Sequence, residues 1–404
     1  MPSRTAVIGA DIGGTKITCG AVEVGREDFR ARVVISHDIA TPREPPAAFY
    51  DTVADALRRI LDEAQREGLR VLPPVAVAQP GRFLPDGALA PGTTPNLGTA
   101  PGQFDGVRPA QELERRLCVP VIAENDAVAQ MRFGLDLLLA DPAVRSDLLG
   151  ETVVYLGPGT GLGGGVARVS RDGEVTTITD GHLFDMQLPG YGDGTLTAEE
   201  VFTGGAIARD VAESNSRCSI PIQPARAGTL DRLLTSCEGL AVPAGRQAEP
   251  RAEAARIADR YGEILALLIQ AIHAGRMTKV RLETLRDGRL IRHVDEPDRA
   301  WSAADRAAVR GVRRFVFGGF VGCSRGLGGR IRTRALEVLR QRGPADVHIF
   351  QIPTASAQAG LLRAVLSATA RLPVGMAAWR QARRARRLKK SRRAGPRARE
   401  VIVS

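Results

Sequence analysis

The chain opens with apolar runs separated by polar turns, a pattern typical of strands in a sheet. Residues 5–11 form a nearly continuous apolar run and predict a buried strand. Residues 17–24 alternate between apolar and polar positions and predict a second strand, and Gly13 and Gly14 stand between the two. We therefore predict a hairpin with glycines at its tip.

Helical periodicity and further short apolar runs follow along the chain. Residues 46–67 and 251–273 carry apolar side chains at helical spacing and predict two long amphipathic helices. The other predicted elements are strands at 74–78, 119–123, 152–156, 166–169, 315–317 and 346–351, helices at 110–117 and 355–372, and a hairpin at 281–293. Alternating strands and helices predict an α/β fold with mixed sheets.

Length and composition fit a globular protein with two domains. The 404 residues are too many for one typical core, and 44% hydrophobic with 25% charged residues excludes a disordered or fibrous chain. The five cysteines are far apart without CxxC spacing, which argues against disulfides and favours a reducing compartment. There is no signal core at the N-terminus and no apolar run of about 20 residues, so we expect a cytoplasmic protein.

The net charge of +11 is concentrated at the C-terminus. Residues 371–404 contain 12 Arg or Lys and one acid, Glu400, so the rest of the chain is neutral. We interpret residues 373–404 as a disordered, solvated basic tail. The alternative is a segment that binds nucleic acid, acidic lipid or polyphosphate.

Two glycine-rich turns carry the clearest chemical signal. Residues 11–16 read Asp-Ile-Gly-Gly-Thr-Lys at the tip of the first hairpin, and residues 157–165 read Gly-Pro-Gly-Thr-Gly-Leu-Gly-Gly-Gly. Such turns expose backbone N–H groups that bind phosphate oxygens, although the first could also be a plain polar turn. The second matches neither the Walker motif nor the dinucleotide-binding fingerprint. Together they predict a nucleotide phosphate tail held from two sides.

Seven short motifs occur in an order that resembles the ROK family of bacterial sugar kinases. They are DIGGTK at 11–16, QPG at 79–81, PNL at 95–97, END at 124–126, GTGLGGG at 159–165, GH at 181–182 and FGG at 317–319. The resemblance implies a two-domain actin-like ATPase (ribonuclease H-like) α/β fold with mixed sheets and a cleft between the domains. The expected parts are a small domain at 1–125, a large domain at 126–354, a helix at 355–372 that packs back on the small domain, and the tail. We also expect a homodimer.

The same resemblance implies the site residues. The residues that would bind the sugar are Asn96, Asn125, Asp126, His182 and Glu199, with Asp126 also the general base. The residues that would hold ATP are Asp11, Gly13, Gly14, Thr15, Lys16, Gly159, Thr160, Gly161, Gly163, Gly318 and Gly319, and Asp11 would hold Mg²⁺ through water.

Asp126 also stands out without the resemblance. It follows an apolar strand, and the carboxyl ends of strands are where open α/β sheets place ligands. Phosphoryl transfer to an alcohol needs a carboxylate that takes the hydroxyl proton. The alternative is that Asp126 only caps the helix that follows, and that His182 is only a hydrogen-bonded turn residue.

Two departures from the family border the expected sugar pocket. Residues 183–197 lack the Cys-rich knuckle of zinc-containing members, so we expect no structural zinc. Thr179 stands where the family has a glutamate three residues before the histidine. These changes argue against glucose as the substrate and favour another hexose, an amino sugar or a cyclitol. The segment at 277–312 is longer than the family's usual connection and has no assigned role.

Three alternatives remain open beside the ATP-dependent kinase. The chain could use polyphosphate as its donor, or bind sugar as a regulator without catalysis. It could also be a ROK-type repressor, but only ten residues precede Asp11. We therefore expect no helix-turn-helix DNA-binding domain.

We predict that a chain truncated after Leu372 folds and turns over like the full chain. The tail lacks apolar periodicity and therefore has little surface to contribute to a core. Circular dichroism, Tm and kcat of the two chains, measured side by side, check this. A truncated chain that does not fold, or that loses most of its kcat, would contradict it.

Overall fold

The computed structural model describes residues 4–24, 31–94, 97–100, 102–179, 186–188, 190–192, 195–217, 219–235, 248–276, 278, 280–284, 290–294, 303–352 and 365. The chain divides into two compact units. Unit 1 comprises Met1–Ala129, Leu139–Ser146 and Gly360–Ser404, and unit 2 comprises Gln130–Leu138 and Asp147–Ala359. The domain boundaries expected from the sequence stay predictions.

Unit 1 contains a five-stranded sheet in the order β3-β2-β1-β4-β5. The strands are β1 (Thr5–Ile12), β2 (Lys16–Val24), β3 (Ala31–Ala40), β4 (Arg70–Gln79) and β5 (Val121–Asn125). The first three form an antiparallel meander, whereas β1, β4 and β5 run parallel. The carboxyl ends of these three parallel strands therefore lie at one edge of the sheet, the edge at which α/β sheets bind ligands.

One face of this sheet is covered by the first helix. The helices are α1 (Pro46–Arg66), α2 (Pro109–Leu117), α3 (Asp126–Ala140) and α4 (Pro142–Leu148). Phe49 and Tyr50 of α1 are fully buried, and Phe49 makes edge-to-face contacts with Tyr50 and Phe104 at 5.1 Å between ring centroids. On the other face, Val365 is buried against Val7 and its neighbours. Both faces are thus apolar, as the continuous apolar run of β1 requires.

Unit 2 repeats the strand connectivity of unit 1. Its sheet has the order β12-β11-β6-β7-β8. The strands are β6 (Thr152–Pro158), β7 (Leu162–Val169), β8 (Val175–Thr179), β11 (Arg314–Phe317) and β12 (His348–Gln351). A meander again comes first, and two strands parallel to its first strand follow. The glycine turns after β1 and after β6 therefore occupy corresponding places in the two units.

Helices of unit 2 build the larger of the two cores. They are α5 (Ala198–Val201), α6 (Gly204–Asn215), α7 (Ala227–Thr235), α8 (Ala248–His273), α9 (Ala303–Val309), α10 (Gly319–Gly322) and α11 (Leu327–Arg342). In the core, the ring of Phe202 stacks on Phe317 at 6.1 Å and on Tyr261 at 6.2 Å. Within the part of the chain that the structure describes, no helix is both long and apolar enough to cross a bilayer.

Most elements predicted from the sequence are present. The strand expected at 5–11 is β1, the helix at 46–67 is α1, and the helix at 251–273 is the greater part of α8. The hairpin expected at 281–293 is formed by β9 (Val280–Thr284) and β10 (Leu290–Val294), which pair antiparallel. These strands and α9 occupy much of the unassigned segment at 277–312. The helix expected at 355–372 lies outside the described residues except for Val365.

Several strand boundaries differ from the prediction: β4 begins at Arg70 rather than 74, β7 at Leu162 rather than 166, and β12 at His348 rather than 346. The strand expected at 119–123 lies two residues later, because Ala78 and Gln79 of β4 pair with Glu124 and Asn125. The pairing with β4 therefore includes the polar residues Glu124 and Asn125, and the next helix begins at Asp126. The strands β3 and β8 were not predicted.

We predict that Gly262→Ala destabilises unit 2. An alanine normally stabilises a helix, but here its Cβ would lie 2.5 Å from Arg334 Cβ and 2.8 Å from the Ile331 carbonyl of α11. The overpacking should lower the free energy of unfolding by about 1–3 kcal/mol.

The matched control is Gly329→Ala in α11, where the nearest atom to the new Cβ is Gln351 Oε1 at 3.9 Å. Its Tm should be unchanged or higher. Thermal melts of both variants check the pair, and an equal change in Tm would contradict close packing at Gly262.

Candidate functional site

The first glycine turn is held in shape by residues that follow β3. The Thr41 hydroxyl donates to the Gly13 carbonyl at 2.7 Å, and the Thr41 N–H donates to the Thr15 carbonyl at 3.1 Å. The Arg43 guanidinium donates to the Gly14 carbonyl at 2.9 Å. Each carbonyl of the turn therefore has a donor, which fixes the direction of the peptide planes. The predicted contacts between this turn and phosphate stay predictions.

Lys16 forms an ion pair that the sequence did not predict. Its Nζ lies 3.0 Å from Asp38 Oδ2 on β3, and the Thr18 hydroxyl donates to Asp38 Oδ1 at 2.7 Å. The hydrogen bond from Thr18, and then the one from Lys16, hold the pKa of the Asp38 carboxyl below its usual range. In addition, the Lys16 carbonyl accepts from the Gly13 N–H at 2.9 Å. The Lys16 ammonium group, which we predict to bind phosphate, is thus oriented by the Asp38 carboxylate on the neighbouring strand.

Four oxygen-bearing side chains lie in one row across the sheet of unit 1. Asp38, Thr18 and Asp11 stand opposite one another on β3, β2 and β1, and Glu124 of β5 lies in the same row across Ala78 of β4, so these side chains share one face. Carboxylate oxygens are the ligands that Mg²⁺ prefers, usually with several waters retained. Among the described residues, no group of three or more His, Cys, Asp or Glu is close enough to hold a metal ion. The predicted contact of Asp11 with Mg²⁺ through water stays a prediction.

Asn125 caps the helix that begins at Asp126. Its Oδ1 accepts from the N–H groups of Ala127 at 2.9 Å and Val128 at 3.1 Å, and its Nδ2 donates to the Gly81 carbonyl at 2.8 Å. Asp126 occupies the first position of α3, and its Oδ1 also receives the Ala127 N–H, at 2.8 Å. A negative charge at this end of a helix is stabilised by the helix dipole.

Asn125 and Asp126 therefore both contribute to the cap of α3, Asn125 with two hydrogen bonds and Asp126 with one. Asn125 makes three hydrogen bonds within the protein. The resemblance, by contrast, implies that this residue binds the sugar. Its contact with Gly81 ties the end of β5 to the loop after β4. Gly81 itself has φ +113°, and a Cβ there would lie 2.6 Å from Thr94 Cγ2, so the loop requires glycine.

The second glycine turn is built from backbone contacts. The Gly159 N–H donates to the Gly161 carbonyl at 2.8 Å, and the Gly204 N–H at the start of α6 donates to the Gly159 carbonyl at 2.8 Å. A Cβ at Gly204 would lie 3.1 Å from that carbonyl oxygen. Glu199 Oε2 accepts from the Leu162 N–H at 3.1 Å. The glutamate expected in the sugar pocket therefore braces the glycine turn.

The FGG turn packs on the same loop. Gly319 has φ +66°, and a Cβ there would lie 2.6 Å from the Pro158 carbonyl oxygen and 2.7 Å from the Gly157 carbonyl carbon. The Gly318 N–H donates to the Leu156 carbonyl at 2.9 Å. No side chain fits between these two backbones, so the turn after β11 and the turn after β6 form one surface.

The structure thus sorts the predicted site residues into two groups. Those of unit 1 are Asp11, Gly13, Gly14, Thr15, Lys16, Asn125 and Asp126, which lie at the carboxyl edge of its sheet. Those of unit 2 are Gly159, Thr160, Gly161, Gly163, Glu199, Gly318 and Gly319. Asn96 and His182 lie outside the described residues. Sequence reasoning missed Asp38, Thr41, Arg43 and Gly204, although a Thr before two glycines is a recognisable helix start.

Comparison with known proteins gives one family match and several similar solved structures. Residues 7–177 match the family model described as the ROK family. The match covers less than half of the chain, which is therefore similar to the ROK family over these residues. The predicted resemblance to the family is therefore confirmed over residues 7–177, a range that does not include the GH and FGG motifs. No curated protein matches the chain.

The chain is also similar to solved structures. A ROK hexokinase from Thermus thermophilus has 23% identity and a TM-score of 0.50, with 90% of this chain and 97% of that chain covered. A ROK glucokinase from Streptomyces griseus, in complex with glucose and AMPPNP, has 19% identity and a TM-score of 0.53, with 89% and 98% covered. A ROK transcriptional regulator, a homologue of the E. coli MLC protein, has 15% identity and a TM-score of 0.56, with 90% and 77% covered. These likenesses confirm the predicted actin-like α/β fold with mixed sheets.

We predict that Asn125→Ala lowers the free energy of unfolding by about 1–2 kcal/mol, because α3 loses its cap. The control is Asn125→Ser, which caps a helix about as well but is too short to reach the Gly81 carbonyl. Its Tm should lie nearer to that of the wild type. A Tm of the alanine variant equal to that of the wild type would contradict this account of the cap.

Proposed function

We propose that this chain is an ATP-dependent kinase that phosphorylates a hydroxyl group of a sugar or cyclitol. The observation that carries the proposal is the repeated topology. Each unit has a glycine turn after the first strand of its sheet, at the edge where its parallel strands end. Glycine turns at sheet edges suit phosphate binding, because their N–H groups can approach anionic oxygens closely.

The phosphate side would use both turns. In unit 2, the turn at 159–161 and the start of α6 present backbone amides and a helix N-terminus to an anion. In unit 1, the turn at 13–15 would add its amides, with Lys16 and Arg43 nearby as cations. Asp11 would hold Mg²⁺ through water, and the ion would neutralise charge on the phosphate oxygens when bound.

Asp126 would act as the base. Its carboxylate would accept the proton of the attacking hydroxyl while that oxygen forms its bond to the γ-phosphorus. The bond from the γ-phosphorus to the bridging oxygen would break, and ADP would leave with the electron pair. The position of Asp126 supports this role, because it follows β5 at the edge of the sheet where the parallel strands of unit 1 end.

The proposed substrate is a class of sugars that is broader than glucose. Asn125 and Glu199 both make hydrogen bonds within the protein, and Thr179 at the end of β8 replaces an acidic side chain that the resemblance leads us to expect. A threonine accepts and donates fewer hydrogen bonds than a carboxylate accepts. We therefore propose a hexose, an amino sugar or a cyclitol, with Asn96 and His182 as further contacts.

The fold does not decide between a kinase and a regulator, since the similar structures include both. Nor does it decide between ATP and polyphosphate as donor. The test is a panel of hexoses, amino sugars and cyclitols with Mg-ATP and with polyphosphate, in which ADP release and the phosphorylated product are both measured. A purified chain that binds a sugar but yields no product with either donor would overturn the kinase in favour of the regulator.

We predict that Asp126→Asn lowers kcat by a factor of about 10² to 10⁴ while the nucleotide Kd and the Tm barely change. Asparagine keeps the shape of the side chain but does not accept the proton. The control is Asp62→Asn, which removes an exposed carboxylate of α1 and should leave kcat unchanged.

The measurement is kcat, nucleotide Kd and Tm for the two variants and the wild type. Near-normal turnover in a folded Asp126→Asn variant would exclude Asp126 as the base. A fall in Tm together with weaker nucleotide binding would instead indicate structural damage.

A further inference from the structure

Arg260 of α8 joins two other segments of unit 2. Its Nη2 donates to the Tyr191 hydroxyl at 2.6 Å, and its guanidinium carbon lies 5.8 Å from the centroid of the Tyr191 ring. Its Nη1 lies 3.3 Å from Asp210 Oδ2 on α6. Tyr191 therefore has both a hydrogen bond and a cation–π contact with a guanidinium that a carboxylate orients. We call Tyr191, Arg260 and Asp210 the arginine clamp.

The carboxylate of the clamp is attached to the core of unit 2. Burial, the negative charge of Asp210 and a hydrogen bond to Asp210 raise the pKa of the Tyr261 hydroxyl. Tyr261 is itself 1% exposed, and its ring stacks on Phe202 at 6.2 Å. Asp210 thus contacts two successive residues of α8. The position of the Arg260 head group is therefore set by two packed helices.

Tyr191 lies in a segment, residues 186–197, whose backbone is less restrained. The glycines on both sides of Tyr191 have φ of +79° and +59°, and glycine gives the chain more conformational freedom than any other residue. The Leu188 N–H donates to the Leu196 carbonyl at 3.3 Å, which closes the base of the segment. The arginine clamp therefore supplies a restraint at the point where the backbone is freest.

Both ends of this segment lead to residues that we propose for the sugar. Glu199 follows it by two residues, and Glu199 Oε2 accepts from the Leu162 N–H at 3.1 Å. The Ala198 N–H donates to the Met186 carbonyl at 2.7 Å, so the start of α5 is tied to the start of the segment. His182 precedes the segment by four residues along the chain. A displacement of the segment would therefore alter the placement of Glu199.

We infer that Arg260 is a positioning residue for the sugar, because it holds the 186–197 segment in the conformation in which the sugar binds. The inference rests on the proposed function, in which Glu199 and His182 contact the sugar. When a ligand binds only one conformation, its apparent affinity falls in proportion to the population of that conformation. Loss of the clamp should therefore raise the sugar KM, whereas kcat of the bound complex should change little.

The variants that test this are Arg260→Ala, Arg260→Lys and Tyr191→Phe, and the matched control is Arg330→Ala. The Arg330 side chain is 44% exposed against 46% for Arg260, and its ion pair with Asp259 at 2.7 Å joins α11 to α8 instead of α8 to the segment. The sugar is the member of the hexose, amino-sugar and cyclitol panel that the wild type phosphorylates fastest. KM and kcat for this sugar, the Kd of ADP and the Tm are measured for each chain. Hydrogen exchange of the amides in residues 186–197 is measured without any ligand.

We expect Arg260→Ala to raise the sugar KM about tenfold, the size of one lost hydrogen bond to a charged group, with kcat and the ADP Kd within about twofold of the wild type. The amides of the segment should lose most of their protection from exchange. Tyr191→Phe and Arg260→Lys should raise KM only about threefold, because each keeps a cation beside an aromatic ring. Arg330→Ala should leave the sugar KM and the exchange of the segment unchanged.

Several results would overturn the inference. An unchanged sugar KM in Arg260→Ala would show that the clamp does not position the sugar, and unchanged exchange would show that the backbone alone holds the segment. A joint fall of Tm, kcat and ADP affinity would assign Arg260 a purely structural role. A wild type that phosphorylates no member of the panel would overturn the proposed function together with the inference, whereas normal turnover with an unchanged KM overturns the inference alone.

Discussion

The close approach of backbone segments around the second glycine turn is the constraint on which unit 2 depends. Side chains at Gly319 and Gly204 would come within 2.6 Å and 3.1 Å of the carbonyl oxygens of Pro158 and Gly159. Real Cβ atoms do not approach a carbonyl oxygen at the shorter distance, so alanine at 319 would push β11 away from β6. Three chain segments, after β6, after β11 and at the start of α6, meet at one place only because glycine stands at each contact.

In unit 1 the glycine turn is held mainly by hydrogen bonds from side chains rather than by close backbone contacts. Its glycine turn is held by the hydroxyl and N–H of Thr41 and by the guanidinium of Arg43, all donating to turn carbonyls. Lys16 beside the turn is oriented by Asp38 on the next strand. Hydrogen bonds of this kind to exposed groups are each worth little, yet together they fix the direction of the peptide planes. The two turns thus have the same place in the topology, and different interactions stabilise them.

The sequence predicted those parts of the fold that depend on local pattern. The apolar run of β1, the periodicity of α1 and α8, and the glycine hairpins could all be predicted, because side-chain alternation and glycine content record them directly. The contact between Lys16 and Asp38 could not be predicted, since it depends on the register of β2 with β3, which is a non-local quantity. The end of β5 was misplaced for the same reason, because pairing with β4 decides it.

At the candidate site, the motifs predicted which residues are present, and the structure shows which contacts each of them makes. Motif order identified Asn125 and Asp126 together as sugar residues, but only the structure separates their roles. Asn125 provides the oxygen that two helical N–H groups require and also holds the loop at Gly81. Asp126 also accepts the Ala127 N–H, and its negative charge at the first position of α3 is favoured by the helix dipole. The helix therefore suits an aspartate at 126, and this carboxylate lies at the sheet edge where we propose that it acts as the base.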